Sequence, residues 1–292
     1  MTTKKASVTF KEFFTQFPDD ETCLNHLFDI RFGQGHKCPK CDKKANWYRF
    51  EAERAYACQW CGHHLHPTVG TPFESSRTSL LSWFYAIYLF TTARHGVSAK
   101  ELQRQIGITY KTAWRMGHEI RKHMAEVDGE SALSGDVEID ETLVGGRHEG
   151  GKRGRGAEGK TIVFGMMERD GDVMTKVVDD VKSKTLMPLI EANVEQGSTV
   201  HTDELTSYRP LSRKGYHHQT VNHGAGEYVD GDCHVNGIEN FWKQLKGGIT
   251  STHVHVSKKH LGKYAKEFEF RFNRRSNPKQ MFPALLSRFS KP

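Results

Sequence analysis

The sequence predicts an α/β chain in which a mixed-sheet domain follows a small cysteine ribbon and a helical segment. Three observations predict it. Two Cys-x-x-Cys pairs, Cys38/Cys41 and Cys58/Cys61, stand near the N-terminus with sixteen residues between them. A helix, a short glycine-bearing turn and a second helix are legible between Ser98 and Lys122. From Val137 onward β-type apolar runs alternate with helical periodicity, and the carboxylates of Asp140, Asp203 and Glu239 interrupt those elements.

A chain of 292 residues has room for one catalytic domain of ordinary size and one or two small modules. The formal net charge of +7 favours a polyanionic partner, and its distribution is uneven. Phe241 to Pro292 carries twelve Lys or Arg against Glu267 and Glu269, a net of +10, which leaves the preceding residues at about −3. The alternative for that segment is a solvated basic helix. The most apolar run, Leu80 to Phe90, is too short to span a bilayer and reads as a buried helix. No membrane partner is therefore expected.

Taken in order, residues 7–30 show apolar positions at helical spacing, with Asp19 or Asp20 as a cap for a second helix. The CxxC pairs follow. Four thiolates in two such turns converge on one tetrahedral Zn²⁺, and the spacer with Trp47, Tyr48, Phe50 and Tyr56 suits a short β-hairpin. A closed Cys₄ set leaves no open position, so this zinc is structural. His63, His64 and His66 are alternative ligands or groups facing solvent or DNA. Cys23 and Cys233 are left over and read as ordinary small residues. This region, 1–70, forms the N-terminal helices and zinc ribbon.

Residues 71–128 form a helical helix-turn-helix region for DNA binding. Ser98 caps the first helix, Gly107 marks the turn, and Leu102, Ile106, Ala113, Trp114 and Ile120 form the expected buried set. Tyr110, Lys111, Thr112 and Arg115 stand at the start of the second helix, where a recognition helix meets bases and phosphates. A plain packing module without DNA contact is the competing reading.

The third region, 129–292, is the catalytic domain with a basic C-terminal helix. Its first strand surrounds Asp140. Gly145 to Gly159, with seven glycines and Arg147, Lys152, Arg153 and Arg155, reads as a basic loop able to clamp a phosphate backbone. Strands at Thr161 to Met167 and Val173 to Val178, a helix from Lys184, a strand at Val200, a helix from Leu205 to Lys214, a strand from His217 and then helices complete the order. That order matches a ribonuclease-H-like α/β domain and leaves other mixed sheets open.

A carboxylate inside a strand is costly to bury unless it is paired or coordinates a cation. Asp140 and Asp203 on strands and Glu239 on a helix are the donor set a two-metal phosphoryl-transfer site needs, with Mg²⁺ or Mn²⁺ as the hard cation. Glu239 and Lys246 lie two helical turns apart and share a face, so the cation can hold substrate phosphate beside the carboxylate. Glu138, Glu141 and Glu204 read as supporting or surface acids, and His201 as a structural histidine.

Asp140 in VEIDETLVGG, Asp203 in HTDELTSY and Glu239 with Lys246 in HVNGIENFWKQLKGG resemble the acidic triad and downstream lysine of the DDE transposases of bacterial insertion sequences. The narrower resemblance, supported by the run from His260 to Arg275, is to the branch with an N-terminal zinc ribbon and an ISXO2-like transposase domain. It covers about Phe10 to Phe289. The resemblance implies cleavage at the ends of a mobile element and attack of the freed 3′-hydroxyls on target DNA. Asp140 and Asp203 would share two Mg²⁺ ions and Glu239 would hold the second. In this branch the third acidic position is sometimes Asn, and Asn236, seven before Lys243, offers a second register; Glu239 is preferred because a carboxylate is the better hard-cation ligand. Implied partners are double-stranded DNA, namely the terminal inverted repeats and the target, and a second copy of the chain when on DNA, with Lys243 among the DNA contacts. The N-terminus lacks the apolar core of a secretory signal and the CxxC pairs suit a reducing compartment. A bacterial cytoplasmic location, at the nucleoid when bound, is expected. The rival readings are a catalytically inactive zinc-ribbon and helix-turn-helix regulator derived from a transposase, a nuclease without strand transfer, and an interaction module.

Overall fold

A computed structural model describes residues 7–127, 131–145, 160–221 and 234–290. Two compact units divide the chain, one of residues 1–123 with 276–292 and the other of residues 124–275.

Several helices of the first unit start where a side chain satisfies their free N–H groups. Thr9 and Glu12 form a capping box at α1 (Phe10–Gln16), and Asp19 caps α2 (Asp20–Arg31). Ser79 caps α3 (Leu80–Thr92), where the Asp20 carboxylate also accepts from the amides of Leu80 and Leu81 at 3.1 and 2.9 Å. α3 is the buried helix that its apolar run predicts, with Trp83, Phe84 and Phe90 fully enclosed. Strands β1 (Trp47–Phe50), β2 (Ala55–Cys58) and β3 (His64–Leu65) make an antiparallel ribbon. α2 packs on this ribbon through Phe28, whose ring stacks on Tyr56 at 4.0 Å. α4 (Ala99–Ile106) ends at Gly107 in the left-handed region (φ 75°), and α5 (Tyr110–Val127) follows.

Two expectations fail in this unit. Trp114, placed in the buried set, is exposed and packs tilted against the His118 ring, and Ile106 is only half-buried. Helical spacing selects a face, but one ring at its margin can turn outward when Ala113 and Met116 already fill the interior. The segment after residue 275, expected within the sheet domain, belongs with the N-terminal unit. There Phe282 on α9 (Met281–Ser287) meets Phe13, Phe17 and Tyr88, and Phe289 meets Phe73.

The second unit is a five-stranded sheet in the order β6-β5-β4-β7-β8. β4 (Asp136–Val144), β5 (Thr161–Glu168) and β6 (Val173–Val178) are antiparallel neighbours, while β7 (Thr199–Thr202) and β8 (His217–Thr220) run parallel to β4. Side chains alternate between the two faces. Val137, Ile139, Phe164 and Met166 pack with Leu186 and Ile190 of α6 (Ser183–Asn193) and with Tyr208. Val144, Val163 and Met167 pack on the opposite face with Ile238 and Trp242 of α7 (Asn236–Gly248) and Leu261 and Phe268 of α8 (Lys258–Asn273).

The helix expected at Leu205 to Lys214 is a 3₁₀ helix, Thr206–Lys214, with Pro210 inside it. Proline has no N–H to give an α-helical ladder. α8 is not a solvated basic helix. Its acids are interior: Glu267 pairs with Arg271 at 2.6 Å, and Glu269 accepts from the Thr175 amide and hydroxyl, both at 2.7 Å. No helix among the described residues is long and apolar enough to cross a membrane.

Candidate functional site

The four cysteines converge as their spacing predicts. Cys38 Sγ is 3.7 Å from Cys61 Sγ and Cys41 Sγ is 3.9 Å from Cys58 Sγ. A tetrahedron of thiolates at about 2.3 Å from zinc has edges of roughly 3.8 Å, so the donor set fits the ion. Both turns have the same local form. Asp42 and Gly62, each just past the second cysteine, take positive φ (62° and 67°), and their amides donate to the carbonyls of Cys38 and Cys58 at 2.9 and 3.0 Å. Cys23 stands apart on α2, its thiol pushed up to about 12 by burial and by the charges of Asp20 and Asp19, which makes it an unreactive core residue. Cys233 lies outside the described residues.

The sheet carries the second site. Asp140 sits mid-strand on β4, on the face covered by α7, and pairs in register with Gly165 on β5. That glycine makes room: a Cβ there would come within 2.5 Å of the Trp242 ring. The indole lies over Gly165 and its Nε1 donates to Asp140 Oδ2 at 2.9 Å. Glu138 is opposite His201 in the parallel β4–β7 register. Continued by two residues, that register sets Asp203 beside Asp140 just past the end of β7. Burial pushes the Asp140 carboxyl up to about 7, with the charge of Glu141 and then that of Asp203 acting the same way. A carboxyl so placed gains from a nearby cation.

Lys246 supplies positive charge on the same side. Its ammonium lies below the ordinary lysine value because of partial desolvation, a trend that Asp140 opposes and Lys160 reinforces. Thr142, Lys160, Ile162 and Lys246 are among the residues that line a cleft there. Glu141 itself faces the other side, where the Tyr208 hydroxyl donates to it at 2.8 Å.

Glu239 is half-buried on α7, one turn before Trp242, and Asn236 is exposed at the helix start. Two groups of three or more metal-ligating side chains have all their ligand atoms within 4.8 Å among the described residues, and the Asp140, Asp203 and Glu239 carboxylates are not one of them. Lys243 is exposed on α7. On α5 Tyr110 and Lys111 are exposed and Thr112 is half-exposed. Arg115 is exposed but rests over the Trp83 ring, 5.6 Å from its centroid. Lys152, Arg153, Arg155 and most of the glycine-rich segment lie outside the described residues.

Sequence reasoning missed two residues that build this site. Glu138, read as a supporting or surface acid, is fully buried and accepts from the Ile238 amide at 3.0 Å and from Arg169 Nε at 3.2 Å. It thus holds the first turn of α7, and Gly237 lets its carboxylate approach. Its position two before Asp140, hence on the same face, was the available signal. Trp242 has helical spacing with apolar Ile238 and Leu245, a pattern that hides the use of its one polar atom. His201 is structural as expected, buried with its Nε2 2.8 Å from Asp136.

Comparison with known proteins finds relatives of both the ribbon and the sheet domain. The model of the ISXO2-like transposase domain matches residues 132–273, and that of the transposase zinc-ribbon domain matches residues 18–64. An uncharacterized protein in transposable element ISH50 of Halobacterium salinarum is 31% identical over 274 residues, 87% of this chain and 91% of that protein. An uncharacterized transposase-like protein of Haemophilus influenzae is 37% identical over 101 residues, 35% of this chain and 80% of that protein.

Proposed function

The chain belongs to the insertion-sequence transposases that combine a zinc ribbon with an ISXO2-like transposase domain, and on that premise we propose that it cleaves the ends of an insertion sequence and joins the freed 3′-hydroxyls to target DNA. The observation that carries this reading is Asp140, a half-buried mid-strand carboxylate pushed up to about 7 by desolvation and by the charges of Glu141 and Asp203. Binding without chemistry does not require such a residue.

Asp140, Asp203 and Glu239 are hard oxygen donors suited to Mg²⁺ or Mn²⁺. When bound, two such ions activate the attacking oxygen and stabilise the leaving one in an in-line displacement. The chain's own residues prepare the place. Trp242 fixes one oxygen of Asp140, which orients the other. Glu138 anchors the helix that carries Glu239, and Lys246 offers an ammonium to a non-bridging phosphate oxygen. The sheet order, with three antiparallel strands followed by two parallel ones, supports a ribonuclease-H-like assignment.

In this reading α4 and α5 act as a helix-turn-helix. Tyr110, Lys111, Thr112 and Arg115 meet the terminal repeats, and Lys243 meets the cleaved strand. Lys152, Arg153 and Arg155, outside the described residues, enter this reading as DNA contacts on their charge alone. Holding two element ends together requires at least two copies of the chain on DNA, in the cytoplasm at the nucleoid.

The test is a strand-transfer assay on labelled terminal-repeat DNA with Mg²⁺ or Mn²⁺, comparing wild type with Asp140→Ala, Asp203→Ala and Glu239→Ala. Joined product from the wild type alone supports the proposal. Tight binding without product favours a regulator, cleavage without joining favours a nuclease, and activity retained only in Glu239→Ala moves the third ligand to Asn236.

A further inference from the structure

The ribbon carries a second group of metal-ligating side chains besides its cysteines. Glu53 in the β1–β2 turn and His64 and His66 around β3 offer one carboxylate oxygen and two imidazole nitrogens, all within 4.8 Å of one another. Glu53 Oε2 lies 3.9 Å from His64 Nδ1 and 3.9 Å from His66 Nε2. That separation is too long for a direct hydrogen bond, yet both rings turn a nitrogen toward the same oxygen.

Local structure explains the convergence. His64 and His66 alternate with buried Leu65, so both project from one face of the strand. β3 pairs antiparallel with β2, His64 opposite Ala57 and Leu65 opposite Tyr56. One step further, His66 comes level with Ala55, at the turn that presents Glu53. The turn itself is held: the Ala55 amide donates to the Glu53 carbonyl at 2.8 Å, and Arg49 Nη1 reaches the same carbonyl. The Phe50 ring, 4.3 Å from that of His64, packs on the imidazole.

Two imidazoles and a carboxylate are the borderline donor set of zinc sites with three protein ligands. Such ligands at about 2.0–2.2 Å from the ion are roughly 3.4 Å apart, so closing from 3.9 Å asks for small rotamer adjustments in side chains that are all partly solvent-exposed. The set is chemically distinct from the thiolate tetrahedron and from the all-oxygen carboxylates on the sheet.

We propose that Glu53, His64 and His66 bind a second divalent ion of the zinc class. The ion fastens the β1–β2 turn to β3 and leaves one coordination position to water or an anionic oxygen. This site is independent of the transposition reading.

The test uses the full chain carrying Asp140→Asn, so that the sheet carboxylates compete less, stripped of metal and titrated with Co²⁺ as the coloured stand-in for zinc. Co²⁺ in the cysteine site gives a thiolate charge-transfer band, whereas an ion on imidazoles and a carboxylate adds d–d absorption without one. The expected result is two equivalents per chain, the first raising the thiolate band and the second leaving it unchanged at micromolar free metal. His64→Gln, His66→Gln and Glu53→Gln each weaken the second equivalent at least tenfold, while the unaltered thiolate band shows that the ribbon still folds. Saturation at one equivalent overturns the proposal, as does a second equivalent that survives both histidine changes or binds only at millimolar metal.

Discussion

Trp242 on α7 and Asp140 on β4, 102 residues apart in sequence, share a 2.9 Å hydrogen bond from the indole Nε1 to one carboxylate oxygen. The bond ties a helix to the strand carboxylate on which the proposed chemistry turns. Trp242→Phe keeps the ring over Gly165 and removes the donor. The expected cost is about 1–2 kcal/mol in denaturant unfolding, because a half-buried acceptor loses its partner. Strand transfer should fall while terminal-repeat binding persists; an unchanged joining rate would refute the positioning role.

Gly165 is required by that same indole. In Gly165→Ala the new Cβ would meet Trp242 Cη2 at 2.5 Å and Ile238 Cδ1 at 2.9 Å. Overpacking of this kind costs about 1–3 kcal/mol. A double change with Trp242→Leu should be less destabilised than the sum of the two single changes, a coupling that a double-mutant cycle reads directly. Simple additivity would mean the two positions do not meet.

Glu138 is a buried carboxylate whose loss takes one acceptor from Arg169 and one from the first turn of α7. Besides the bonds to Ile238 and Arg169, His234 Nδ1 stands 3.1 Å away. Glu138→Ala is expected to cost about 3 kcal/mol, and hydrogen exchange at the Ile238 amide should accelerate with the global change subtracted. Exchange slowed as in the wild type would show that the helix start is held by something else.

His218 gives the sheet an acid sensitivity. Its Nε2 is 2.8 Å from the Thr202 hydroxyl, and burial followed by the nearby His201 lowers its pKa below the ordinary histidine value. A base whose folded pKa is depressed is stabilising while neutral. Its contribution is complete above about pH 6.5 and is lost as pH falls below that value toward the folded pKa. The melting temperature of the wild type should therefore drop between neutral and mildly acidic buffer, and His218→Gln should shrink the drop. An equal drop in both proteins would assign the sensitivity to another group.

The zinc knuckles were legible because their determinants are local. Two cysteines three apart, followed by a residue able to take positive φ, close a turn whatever surrounds them. The strand carrying Asp140 and the helix carrying Glu239 were legible for the same reason, since periods of two and 3.6 residues are properties of a short stretch. Pro210 could have warned that its helix would not be regular, because the missing N–H is also local.

Periodicity says which side chains share a face and not what that face meets. Glu138 looked like another acid beside Asp140 until the start of α7 was found on it, and Trp242 looked apolar until its one polar atom found Asp140. The segment after residue 275 chose its unit by the fit of Phe282 and Phe289 among the aromatic rings of the N-terminal unit. The sequence by itself determined the ribbon, the chemical types at the site and their elements. Tertiary structure alone decided that Asp140 is held near neutral and braced by an indole. Desolvation and packing arise only when residues a hundred positions apart exclude water together.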